Sequence, residues 1–325
     1  MDKPLQALMS CPPPAKRTPA FNGCTAQPAK QPTASNARWL FLAARALGMD
    51  AESARVCEQT LVFPIGDCRL AVCPLDGDGD RWWCASSLVP RPTGVEHAAW
   101  LDALLAANAV VMPHTCIAFA LDQSERAMLV MRMPDTGDSA ALAAELRLFG
   151  AIWSAVGAWA LLDDAARTSL RLAEDSAVAA AWHAQSAVRR FEAAARSTDM
   201  EKFLLQSLRA MGASAEQAVR AVESGRFRVD EIELTMDPIP DGVSLLLGTA
   251  LPAAVAQVTT ARAALQATAA LLPSMGAALA RDNEGLQVLA NWSTGLRESE
   301  DLARYVLAFA VLPQVLEGRA DGRVH

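Results

Sequence analysis

No CxxC pair, HExxH or other paired metal-binding spacing occurs in the 325-residue sequence, whose four histidines stand apart at positions 97, 114, 183 and 325. A metal centre built from neighbouring thiols and imidazoles is therefore not expected. GxGxxG, GxxxxGKS, GxxxxGKT and GxSxG are missing too, so neither a phosphate cradle nor a nucleophile elbow is present, and the chain reads as a non-enzyme without a cofactor. No run reaches the roughly 18 uninterrupted apolar residues that span a bilayer. The N-terminus, with its prolines and lysines, lacks the apolar core of a signal peptide, so a cytoplasmic location without membrane insertion is expected. Seven cysteines (11, 24, 57, 68, 73, 84 and 116) are odd in number and all precede residue 117, which fits reduced, buried thiols.

Hydrophobic residues make up 52% of the chain and charged ones 20%, ample for two cores in 325 residues. The net charge is −7. Residues 1–35 carry Lys3, Lys16, Arg17 and Lys30 against Asp2, or +3, so the remainder stands at −10 (−7 − 3). An acidic body argues against nucleic acid and leaves room for a basic or unfolded polypeptide partner. Seven prolines among Ala, Ser, Thr and Gln predict that residues 1–35 form a disordered tail.

Periodicity then lays out the elements. A helix is expected over 36–48 with Gly48 as its stop, and a short segment over 51–58. The hairpin region 61–90 follows, in which Pro64 and Gly66 point to an irregular or edge first strand. Helical spacing resumes over 93–111 and ends at Met112-Pro113; residues 116–121 and 127–133 make a hairpin, and 139–162 a long helix. Residues 164–198 have neither Pro nor Gly and predict a helical connector over 176–197. A helix over 200–211, a capping box at Ser214 and Gln217, and a hairpin over 226–252 come next. Beyond them lie a helix over 254–272 ended by Pro273, a hairpin over 277–292 and a helix over 298–316 that Pro313 should kink or end.

The second series repeats the first. Equivalent punctuation recurs at nearly constant offsets: 164 between the helix-stop glycines (212 − 48), 162 between the hairpin-closing prolines (252 − 90) and 160 between the helix-ending prolines (273 − 113). An internal duplication of an αβββαββα unit is the expectation. The domains fall at 36–163 and 199–318, with a connector at 164–198 and short ends at 1–35 and 319–325.

The segments RWLFLAARALG and DCRLAVCPL in the first unit, and MEKFLLQSLRAMG, FRVDEIELTM and LLPSMGAALARDNEGLQVLANW in the second, resemble the class I type III secretion chaperones, the Tir-type effector chaperone family. The resemblance implies an α+β protein of two tandem chaperone-like domains forming an intramolecular pseudo-dimer in the bacterial cytoplasm. It also implies binding, without ATP hydrolysis, of the extended N-terminal region of a secreted effector or gatekeeper protein, with the secretion ATPase as a further partner and a role in virulence. The two copies in one chain and the proline-rich tail depart from the family pattern. A regulatory or structural assembly module using the same fold is the competing expectation.

An extended segment gains main-chain hydrogen bonds on a sheet edge and fills apolar pockets at alternate positions. Candidate cargo-binding residues are Leu40, Leu47, Phe63 and Val130 in the first unit, and Leu204, Met211, Val229 and Ile232 in the second; core is the competing role for each. Trp100, Leu101, Leu104 and Leu105 are expected to face Val258, Ala261, Leu265 and Thr268 across the inter-domain interface. Asp76-Gly77-Asp78-Gly79-Asp80 matches the first ligands of a calcium loop, but Arg81 stands where glycine is needed and Ser87 where the bidentate carboxylate belongs, so a solvated turn is expected. Trp82, Trp83, Trp153 and Trp159 read as core or interface.

Overall fold

The computed structural model describes residues 34–75, 82–134, 138–162, 175–196, 199–239, 244–293 and 299–320. The tail expected over 1–35 therefore lies almost wholly outside the described residues, as do the 76–80 turn and most of 319–325.

Two antiparallel five-stranded sheets, each with its own helices, make an α+β molecule. The first series runs α1 (Ala34–Ala46), α2 (Ala51–Thr60), β1 (Val62–Ile65), β2 (Cys68–Leu75), β3 (Trp82–Leu88), α3 (His97–Val111), β4 (Ile117–Leu121), β5 (Ala127–Pro134) and α4 (Ser139–Ala160). A connecting helix, α5 (Ser176–Arg196), lies along α4. The second series is α6 (Met200–Ala210), α7 (Ala215–Ser224), β6 (Arg226–Val229), β7 (Ile232–Pro238), β8 (Ser244–Ala250), α8 (Ala253–Val258), α9 (Ala261–Met275), β9 (Ala277–Asp282), β10 (Gly285–Ser293), α10 (Ser299–Ala310) and α11 (Leu312–Ala320). Strand order is β1-β2-β3-β5-β4 in one sheet and β6-β7-β8-β10-β9 in the other, the same sequence of crossings in both.

Local chemistry fixes several boundaries. Asp50 caps α2 by accepting from the backbone N–H groups of Glu52 and Ser53, and those bonds together with the Ser53 hydroxyl hold its carboxyl below the usual range. At α7, Ser214 and Gln217 form the expected capping box. Pro64 sits in edge strand β1, where its missing N–H costs no ladder bond to a further strand.

Three expectations are corrected by the structure, and a fourth, the interruption of the last helix at Pro313, is met. The stretch 226–238 is two strands, because Asp230 adopts a left-handed conformation (φ 53°) and turns the chain between Val229 and Ile232. The helix expected over 254–272 breaks at Thr259 and Thr260, whose hydroxyls bond the Val255 carbonyl and the Ala263 N–H and so compete with the backbone ladder. Pro273 does not end α9, which continues to Met275 and stops at Gly276 (φ 73°); a proline in the last turn gives up only its own donor. The final helix divides at Val311, two residues before Pro313, whose ring excludes an unbroken ladder.

Candidate functional site

The two series of elements meet through an exchange of helices. α3 of the first packs on β9 of the second, α9 of the second packs on β4 and β5 of the first, and the two helices touch each other. β4 and β9 stand at one end of their sheets, so each sheet has one edge engaged by the opposite unit. β1 and β6 close the other ends, and among the described residues no further strand lies beside them.

Alternation along β4 and β9 explains why the exchange fits. Ile117, Phe119 and Leu121 enter the main apolar core, as do Ala277 and Leu279, and that core runs continuously through both units. The intervening residues are small: Ala118, Ala120, Ala278 and Ala280 turn to the opposite face and join Met112, Met128, Val130, Leu272 and Leu289 in a second cluster built from both units. Partners in that cluster lie 160 residues apart (272 − 112, 278 − 118 and 280 − 120). Alanine on this face lets a helix approach the sheet closely.

Polar groups in the same region are satisfied across the junction. Asn108, fully buried in α3, accepts from the Phe119 N–H at 2.7 Å and donates to two carbonyls, Phe119 at 3.0 Å and Leu279 at 2.9 Å. Thr268, 160 positions on, accepts from the Leu279 N–H at 3.0 Å and donates to the Ala264 carbonyl. Around the rim, Asp102 of α3 pairs with Arg281 of β9 at 2.9 Å, and Arg262 of α9 pairs with Glu125 of the β4–β5 turn. Positions 102 and 262, 160 residues apart, carry opposite charges and meet opposite partners.

Of the residues expected at the inter-domain interface, Trp100, Leu101, Leu104, Leu105, Leu265 and Thr268 are all buried and Ala261 is partly buried. The side chain of Val258 lies outside the described residues. The sequence reading missed Asn108 and both ion pairs. An asparagine within an otherwise apolar helical stripe was the signal available for the first.

The cargo-binding candidates divide by accessibility. Leu40, Phe63 and Leu204 are sealed in the main core, and Val130 in the cluster between the units. Leu47, Met211, Val229 and Ile232 are only partly buried and pack against the core from outside. Three of these four belong to the second unit, where Phe227, Leu205 and Val222 are also partly exposed and Val219 is 44% exposed. In the first unit Phe63 of β1 is sealed where Phe227 of β6 is partly exposed, although Val56 of α2 is 51% exposed. α4 approaches β1 so closely that a Cβ on Gly150 would lie 2.6 Å from the Ile65 methyl, while α10 packs chiefly on α6.

α4 is long and apolar enough to cross a membrane by composition, and half of its most apolar window is buried inside the fold. Between it, α3 and α5 lies a pocket of about 110 Å³ lined by Val111, His114, Leu148, Ile152, Val178 and Trp182. No protein-family model, curated protein or solved structure matches the chain.

Proposed function

We propose that the chain is a type III secretion export chaperone, made of two fused chaperone-like units that form an intramolecular pseudo-dimer in the bacterial cytoplasm. It binds the extended N-terminal region of a secreted effector or gatekeeper protein and keeps that region accessible, by contact and not by chemistry. The pseudo-dimer is supported by the shared strand order and by the reciprocal seating of α3 on β9 and α9 on β4. The observation that carries cargo binding is the accessible apolar row beside β6, where Phe227 and Val229 alternate with exposed Arg226 and Arg228. An extended peptide beside such an edge gains backbone hydrogen bonds and sets alternate apolar side chains against that row. Arg226 pairs with Glu233 at 3.5 Å and Arg228 donates to the Glu231 carbonyl, so the two guanidinium groups are engaged within the hairpin and the apolar row is what faces a peptide.

Capture of the tagged full-length chain from bacteria grown under secretion-inducing conditions tests the reading. A secreted protein should be recovered in near-stoichiometric amount, and deleting that protein's N-terminal region should abolish the recovery. Recovery of apparatus components alone, such as the secretion ATPase, would favour the regulatory module instead. Substituting Met211→Asp, Val229→Asp or Ile232→Asp should weaken cargo recovery at least tenfold while the variants still melt cooperatively.

A further inference from the structure

Three cysteines that the sequence scatters come together in one row across the first sheet. Cys73 on β2 stands directly opposite Cys84 on β3, and Cys84 directly opposite Arg132 on β5. The Arg132 N–H donates to the Cys116 carbonyl at 3.0 Å, which continues the row to the start of β4. Directly opposed residues project on one face, so sulfur, sulfur, guanidinium and sulfur stand side by side. That face is the one holding the cluster between the units, with Cys84 inside it and Cys73 and Cys116 packed against it.

The surroundings differentiate the thiols. The Arg132 guanidinium lies 3.8 Å over the Trp82 ring and reaches the second unit, since a Cβ on Gly276 would lie 3.3 Å from Arg132 Nη1 and 3.4 Å from Cys116 Sγ. A fixed cation beside the row favours thiolate over thiol. Cys73 is partly exposed and Cys84 fully buried. A hydrogen bond from the Cys84 thiol draws the Cys73 thiol down, whereas burial pushes Cys57 and Cys68 up.

We propose that Cys73 and Cys84 form a dithiol site that reacts with small-molecule disulfides of the glutathione disulfide class and closes to a cross-strand disulfide. The Cys73 thiolate attacks one sulfur of the small disulfide, whose S–S bond breaks; one small thiolate leaves and is protonated, and the other half remains on Cys73. Cys84 then gives up its proton to water and attacks the Cys73 sulfur, expelling the second small thiol. Two protein thiols are oxidised to one disulfide and one small disulfide is reduced to two thiols. Opposed cross-strand Cα atoms lie roughly 4.5–5.5 Å apart, within the range a disulfide spans. Cys84 and Cys116 are two strand spacings apart, roughly 10 Å, and out of reach of each other. Nothing in this step depends on what the outer edges bind.

The test treats the reduced full-length chain with glutathione disulfide, blocks remaining thiols by alkylation and maps the cysteines by mass spectrometry. The expected result is a Cys73–Cys84 link that grows as a transient glutathione adduct on Cys73 decays, with Cys57 and Cys68 recovered as alkylated thiols. Cys84→Ser, or Cys84→Ala if the serine variant does not fold, should hold the glutathione on Cys73. Cys73→Ser should leave Cys84 unmodified. A wild-type adduct on Cys73 that never resolves, a link from either residue to a different cysteine, or equal reaction at Cys57 and Cys68 would each overturn the proposal.

Discussion

Asn108 does more for this molecule than its size suggests. One buried amide closes three backbone groups, two on its own unit and one on the other, and no apolar residue of similar volume can replace it. Asn108→Ala strands a donor and two acceptors in a dry core, and should lower stability by roughly 2–3 kcal/mol, read as a fall in the denaturant midpoint. Thr268→Val keeps the shape but orphans the Leu279 N–H and should cost about 1–2 kcal/mol. Equal, negligible effects for both would mean that this polar pair is not closed in solution. The same scale separates the accessible apolar residues from the sealed ones. Leu40→Asp or Phe63→Asp buries an unpaired charge and should prevent folding, unlike the substitutions beside β6.

At the scale of elements, the two rim ion pairs set the polarity of the junction. Asp102→Arg alone places two arginines together, as Arg281→Asp alone opposes two aspartates; the double exchange restores opposite charges. Each single variant should melt lower and the double should recover, with a coupling of roughly 0.5–1 kcal/mol in a double-mutant cycle, because both pairs are half exposed and screened. A coupling indistinguishable from zero would show that the pair is ornamental.

Elements with long periodic stripes were legible in the sequence: α4 follows Leu142, Leu146, Phe149 and Val156, and α3 and β4 fall close to where spacing puts them. The turn at Asp230 was not legible through its chemistry, since no glycine marks it. Its trace is a lapse in alternation, with three residues from Val229 to Ile232 in place of two. The break at Thr259 and Thr260 escaped because a twofold threonine signal is weak against a helical stripe on either side. Accessibility was the part of the candidate site that periodicity could not supply. Leu40 and Leu47 share one stripe, and only the end of α1 at Ala46 leaves Leu47 beyond the helix and partly uncovered. The ion pairs and the thiol row join positions up to 179 apart and leave no local pattern at all.

For the whole molecule, the proposed pseudo-dimer predicts one chain of 34.5 kDa per particle by light scattering, unchanged on dilution. A stable two-chain particle would sink the intramolecular version. Leu104→Asp together with Leu265→Asp places two charges in the core shared by both units and should separate or unfold them. Unchanged melting and hydrodynamic size would show that α3 and α9 do not hold the units together.

Positions 102 and 262 show what the proposed fusion of two unlike partners in one polypeptide would permit. Where identical subunits associate about a twofold axis, any substitution arrives twice and must tolerate its own image, so an aspartate gained at the rim appears on both sides at once. Here each substitution arrives once. Asp102 can differ from Arg262, and Asn108 from Thr268, without any demand that either suit a copy of itself. The same freedom would let the outer strands differ, with Phe63 of β1 sealed and a helix against Ile65 while Phe227 and Val229 of β6 stay partly exposed, a difference that a symmetric pair of identical chains cannot reach by mutation alone.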